Sequence, residues 1–443
     1  MDDYFEIEGL AGKKLLSGEV EISGAKNAVL PLLAAGVLFD GKVSLENAPI
    51  INDTRRMLEL LSALGAKTEF DEFAGVASVN CASLDSHSLD VEISKRLRAS
   101  IILSGPILGR YGEVEFPHPG GCVIGERPID IFVECFSKMG ARAEERDGIY
   151  RLECSEGLKG TEVFMRIQSV TATETLMMAA ALAKGETNLK NCAMEPEVAA
   201  LAGFLRQSGV EIEGAGTPTI KVKGRAGRLL SPRGRAKIIP DRIEAGSFII
   251  LGALCADELV VKNCVPAHLE AVTSLLAAAG VPLDIGQDFI RLSGNGRTAN
   301  SVFKNFNVRT HEYPGFPTDL QAPMAVFLTQ ASGEGLIFET IFEGRLGYTE
   351  DLIKMGAGIK IWDAHRASVK GPTPLNGRLL EGPDIRAGLA LVIAALAAEG
   401  RSQITNVRYL DRGYERIDEK LRSLGALIER KTLTRSKDSA LIF

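Results

Sequence analysis

Apolar and polar positions along the 443-residue chain follow a pattern that repeats. Six times, an amphipathic helical run with an apolar residue every three or four positions ends at a small-residue turn. An alternating strand then follows. The turns read Leu-Gly-Ala, Met-Gly-Ala, Ser-Gly-Val, Ala-Gly-Val, Met-Gly-Ala and Leu-Gly-Ala, with central glycines at 65, 140, 209, 280, 356 and 425. A glycine just past a helix supplies the left-handed residue that ends it. The glycines are 75, 69, 71, 76 and 69 residues apart. Upstream of most of them lies a second pattern, an apolar helical run leading through a glycine into an alternating strand. It covers 30–45, 176–189, 248–261, 324–338 and 389–404. The predicted unit is helix, strand, helix, strand, with further short strands.

A period near 70 is too long for most solenoids. The chain is also longer than one hydrophobic core usually serves. Two α/β domains of three units each are therefore expected. The Gly-, Arg-, Ser- and Pro-rich stretch 224–237 reads as a crossing segment, and a second crossing is expected near 17–26. The expected domains are 24–238, and 1–23 with 239–443. The cleft between two such domains is the expected place for a ligand.

Composition narrows the class. With 45% hydrophobic and 24% charged residues the chain is ordinary for a soluble globular protein. A net charge of -6 argues against general nucleic-acid binding, though not against a local arginine cluster for a small anion. Seven cysteines without a CxxC pair give neither a disulfide framework nor a zinc pattern, which suits a reducing compartment. The five histidines show no metal-ligand spacing. The start, Met1-Asp2-Asp3-Tyr4, lacks a signal-peptide core, and runs such as 387–398 are too short to span a bilayer. A cytoplasmic protein without metal or membrane partner is expected.

Chemistry concentrates in a few motifs. In His118-Pro119-Gly120-Gly121-Cys122-Val123-Ile124-Gly125-Glu126-Arg127-Pro128, glycines allow close approach to a ligand, and a cation favours the thiolate. Packing beside a tight turn is the other reading of that cysteine. Ser23-Gly24-Ala25-Lys26-Asn27 precedes an apolar helix and suits an anion plus a hydroxyl, or is simply an exposed lysine near a cap. Lys95-Arg96-Leu97-Arg98 opens another apolar run with positive charge, where a ligand anion or solvent could offset the helix dipole. Pro240-Asp241-Arg242-Ile243-Glu244 reads as an ion pair or a ligand contact. Asp319, near a helix start, could interact with the dipole or accept a proton from a substrate hydroxyl. Arg345, Arg386 and Arg412 sit near turn regions of separate units, where each could be a surface charge or part of a converging anion site. A small phosphorylated or carboxylated substrate follows; the reaction does not.

Taken together, these motifs resemble the enolpyruvyl transferase family over essentially the whole chain. The resemblance runs from Ser23-Gly24-Ala25-Lys26-Asn27 through the cysteine loop to Asp411-Arg412-Gly413-Tyr414-Glu415-Arg416. It implies a two-domain inside-out α/β barrel of six βαβαββ units, with the active site in the interdomain cleft. It implies transfer of the enolpyruvyl group of phosphoenolpyruvate to the 3-hydroxyl of UDP-N-acetylglucosamine, with no metal or cofactor. Carried over by motif, Lys26, Arg98, Cys122, Arg127, Arg345 and Arg412 would meet phosphoenolpyruvate. Cys122 would handle the proton at C3 and Asp319 the sugar hydroxyl. Asn27, Arg98, Arg127, Pro128, Ile129, Asp130, Ile131, Ser169, Val170, Asp319 and Ile341 would meet the UDP-sugar. Asp384 and Arg386 would support the cysteine loop. Phe132, Ile167, Thr171 and Gly344 depart from the common pattern and cluster on the acceptor side, where Arg166 could replace a missing lysine.

Overall fold

The chain's computed structural model describes residues 3–120, 129–293 and 303–432. It is a mixed α/β protein that divides into two compact units. One comprises Ser23–Asp241 with Glu312–Gly315, and the other Met1–Ile22, Arg242–His311 and Phe316–Phe443. Each has its own hydrophobic core, the first drawn from residues between Ala25 and Ile238. The second joins Phe5–Ile22 side chains to those from Ile243 to Ile428.

The apolar runs become interior helices. Val170–Leu182, Arg242–Cys255, Gln321–Gln330 and Ile385–Ala397 bury nearly every side chain, on all sides. A helix apolar all round must lie inside a unit rather than on its surface. In the second unit the last three of these pack on one another. Some strands show the opposite pattern: Thr219–Lys223 alternates exposed and buried positions, as a sheet with one solvated face requires.

Among the described residues six sheets form, and one strand order recurs. In the first, Lys42–Glu46 pairs with Val76–Asn80, which pairs with Lys67–Asp71, all antiparallel. In the last, Asp3–Glu8 takes the middle place between Arg401–Thr405 and Ile428–Thr432. Five sheets add a parallel fourth strand; Arg235–Lys237, inside the expected crossing segment, is one of them and pairs with Lys42–Glu46. All six repeat glycines have positive φ, between 92° and 107°. The sheets are open and no closed barrel forms among the described residues, contrary to the barrel that the family resemblance implied. Closure needs strands paired at both edges all the way round, and sheets of three or four strands cannot provide it. No helix among the described residues is long and apolar enough to cross a membrane.

Candidate active site

In the second unit, three sequence-distant motifs meet at Asp319. The short turn Thr318–Leu320 leads into Gln321–Gln330 and presents Asp319 with its side chain about one quarter exposed, at 26%. Arg345 Nη2 donates to Asp319 Oδ1 at 2.7 Å, and Arg386 Nε donates to Oδ2 at 2.9 Å. Both arginine side chains are buried. Burial pushes the Asp319 carboxyl up, but the guanidinium groups of Arg386 and Arg345 outweigh it and hold it far below the usual range. Burial likewise works against the charge of Arg345, and Asp319, Asp384 and Glu339 more than restore it.

Local structure explains why these side chains converge. Asp384 caps Ile385–Ala397, accepting from the backbone N–H groups of Arg386 at 2.7 Å and Ala387 at 3.0 Å. The cap fixes the first turn, from which Arg386 reaches Asp319, its guanidinium 5.2 Å from the Tyr414 ring centroid. Arg386 is thus tied to Asp319, and the cysteine loop that Asp384 and Arg386 are expected to support lies outside the described residues at 121–128. Arg345 follows a turn built on Glu339, a fully buried carboxylate absent from the sequence reading. Ile341, expected at the sugar, donates its N–H to that carboxylate at 2.8 Å. Arg412 ends the turn Val407–Arg412, and the preceding Asp411 is gripped by both terminal nitrogens of Arg430 at 2.9 and 2.7 Å.

The first unit holds a separate cluster. Lys26 opens the helix Lys26–Ala35; its backbone N–H donates to Asp241 Oδ2 at 3.2 Å, and its Nζ lies 3.0 Å from Asp53 Oδ2. Asp53 is buried and also faces Arg56 at 3.7 Å. Asp241 was legible as part of a charged triplet. Asp53 gave no signal beyond an acid near a helix start. The triplet's Glu244 pairs instead with Lys420 at 2.6 Å. Arg98 Nη1 donates to the carbonyl of Pro119 at 2.8 Å, tying the base of the cysteine loop. Gly120 packs so closely there that a Cβ would lie 2.1 Å from the Lys95 carbonyl oxygen. Cys122, Arg127 and Pro128 lie outside the described residues. The six other cysteines are free and buried, and burial pushes Cys81, Cys192 and Cys255 up to about 12.

On the acceptor side the assignments divide. Ile129 and Ile131 bury their side chains in the core, as does Phe132, so these side chains are packing groups. Asp130 is exposed and forms an ion pair with Arg166, the residue expected to replace the missing lysine. Ser169 caps Val170–Leu182 through Ala172 N–H at 3.3 Å. Val170 packs against the core, and Thr171 accepts from the Thr175 hydroxyl at 2.7 Å through its carbonyl. Asn27 sits half-buried in the first turn after Lys26. No group of three His, Cys, Asp or Glu side chains among the described residues could hold a metal ion.

The family model for EPSP synthase (3-phosphoshikimate 1-carboxyvinyltransferase) matches residues 10–421. The chain is 44% identical to the UDP-N-acetylglucosamine 1-carboxyvinyltransferase of Koribacter versatilis, over 97% of this chain and 96% of that protein. It is 40% identical to the protein of the same name from Nitratiruptor sp., over 97% and 99%. Among solved structures it resembles the enolpyruvyl transferase NikO from Streptomyces tendae, with 26% identity and a TM-score of 0.87 over 98% and 100% of the two chains. An EPSP synthase from Acinetobacter baumannii shares the fold at 17% identity and a TM-score of 0.70, over 98% and 100%.

Proposed function

The chain belongs to the EPSP synthase family, and from that membership we propose that it transfers the enolpyruvyl group of phosphoenolpyruvate to the 3-hydroxyl of UDP-N-acetylglucosamine, releasing phosphate. The observation that carries this reading is the full-length likeness to carboxyvinyltransferases of that acceptor. In the proposed reaction the sugar oxygen bonds to C2 of phosphoenolpyruvate as its hydroxyl proton passes to the substrate's phosphate, with which it leaves, while C3 gains a proton from Cys122. The C2–O bond to phosphate then breaks as C3 returns a proton. Lys26, Arg98, Arg127, Arg345 and Arg412 stabilise the anionic intermediate, which keeps both carboxylate and phosphate. Asp319 accepts the hydrogen bond of the sugar hydroxyl. Held ionised by two arginines, it is a weak base, so it orients the hydroxyl more than it deprotonates it.

The same reading gives six βαβαββ units, three to a domain, with domains at 24–238 and at 1–23 with 239–443. It puts the reaction in the cytoplasm, at the first committed step of peptidoglycan precursor synthesis, with Cys122 as the target of the epoxide fosfomycin. A second reading keeps the donor and changes the acceptor. It is favoured by the Asp130–Arg166 pair and by Ile167 and Thr171 on the acceptor side. A phosphate-release assay with phosphoenolpyruvate against a panel of nucleotide sugars separates the two. Release with UDP-N-acetylglucosamine is expected; release only with another nucleotide would replace the first reading by the second.

A further inference from the structure

We propose that Glu339 is a positioning residue for this transfer: it builds the turn that delivers Arg345 and, through the Thr318 hydroxyl, sets how Arg345 meets Asp319. The proposal rests on the reading of Asp319 as the carboxylate that faces the acceptor hydroxyl. Glu339 follows the strand Gly333–Phe338 and is fully buried. Its Oε1 accepts from the backbone N–H groups of Ile341 at 2.8 Å and Phe342 at 3.1 Å. Its Oε2 accepts from the Thr318 hydroxyl at 2.8 Å and the Gln321 amide at 3.4 Å. Tyr348 in turn donates to the Gln321 amide oxygen at 2.6 Å. Four donors on two oxygens suit an ionised carboxylate, which accepts and never donates.

A packing residue at this place would not need charge, because burying a charge is unfavourable unless each oxygen is satisfied. What the charge does is orient its neighbours. The Thr318 hydroxyl must point its hydrogen at Glu339, so its lone pairs face Arg345 Nη1, which donates to it at 3.0 Å. The other terminal nitrogen of that guanidinium then meets Asp319 Oδ1. The Arg345 guanidinium also lies 5.5 Å from the ring centroid of Phe342, whose own N–H Glu339 holds. Glu339 therefore fixes Arg345 from two directions without touching Asp319.

The test uses Glu339→Gln and Thr318→Val in the full chain. Glu339→Gln sets an amide N–H₂ against donors; Thr318→Val removes only the relay to Arg345. Steady-state kinetics for both substrates and the pH dependence of kcat/KM are measured. Expected is a fall in kcat of roughly 10²-fold for Glu339→Gln, the scale of a misplaced catalytic group, and a smaller fall for Thr318→Val. The acid limb should move to higher pH in both, since Asp319 loses guanidinium support. Wild-type kcat and acid limb in both variants, with any change confined to the melting temperature, would overturn the proposal. If the wild type releases phosphate with no acceptor, it is the transfer reading that fails. A ¹³C-carboxyl titration of Asp319 then tests Glu339 alone: a raised midpoint in the variants upholds its positioning role, and an unmoved midpoint removes it.

Discussion

Asp319 keeps its charge because two guanidinium groups outweigh its partial burial. That balance has a stability consequence with a definite sign. Its folded-state pKa is depressed below the ordinary 3.8, so the stabilisation is present above that value and lost as pH falls below it. Asp319→Asn should lower the melting temperature at pH 7, and the gap to wild type should close as pH drops below about 4. A gap that stays constant into acid would show that the arginines do not hold the carboxylate. Activity should fall by about 10²-fold, the scale of a lost orienting contact. The aspartate itself was legible, because an acid at a helix start is a local signal. Its clamp was only partly legible: Arg345 and Arg386 could be singled out as candidates, but their bonds to Asp319 span 26 and 67 residues, and no local rule pairs them.

Helix stops show the limit of local reading from the other side. Gly280 and Gly65 share a φ of 94°, a backbone conformation that L side chains rarely adopt. A Cβ at Gly280 would meet nothing within 4 Å, whereas at Gly65 it would lie 2.4 Å from Asp85 Oδ1. Gly280→Ala should therefore cost only the conformational strain, about 1–2 kcal/mol. Gly65→Ala should cost clearly more, because the Asp85 segment must also shift. Urea unfolding of both variants checks this, and equal losses would mean that the Asp85 contact is soft. The six stops could be read from sequence because a positive φ is a demand made by one residue. The interior helices were legible as apolar runs, but the runs began at 248 and 324, later than the helices do. The first turns from Arg242 and Gln321 carry polar side chains, Glu244 and Gln321, that tertiary partners bury. The barrel came from the family resemblance and not from periodicity, which records no edge pairing between distant strands.

Two separate cores give the whole molecule an asymmetry that the chain order makes testable. Residues 23–241 hold nearly all of one compact unit, its core and the strand Arg235–Lys237 that completes the sheet of Lys42–Glu46. The other unit depends on the beginning of the chain. Asp3–Glu8 is the middle strand between Arg401–Thr405 and Ile428–Thr432, and Leu16–Glu21 pairs with Ala256–Lys262. Phe5 and Ile7 are fully buried there, and Arg430, which grips Asp411 beside Arg412, lies opposite Phe5. Removing the first 22 residues exposes two strands' worth of backbone donors and acceptors and opens the core. A fragment of residues 23–241 should thus unfold cooperatively in urea, with near-UV circular dichroism of a packed core. Residues 242–443 alone should not, and should regain a cooperative transition when residues 1–22 are joined to them through a flexible linker. A non-cooperative 23–241 fragment would mean that its core is incomplete without the rest of the chain. A cooperative 242–443 fragment would mean that the Asp3–Glu8 strand is dispensable, against its central place in the sheet.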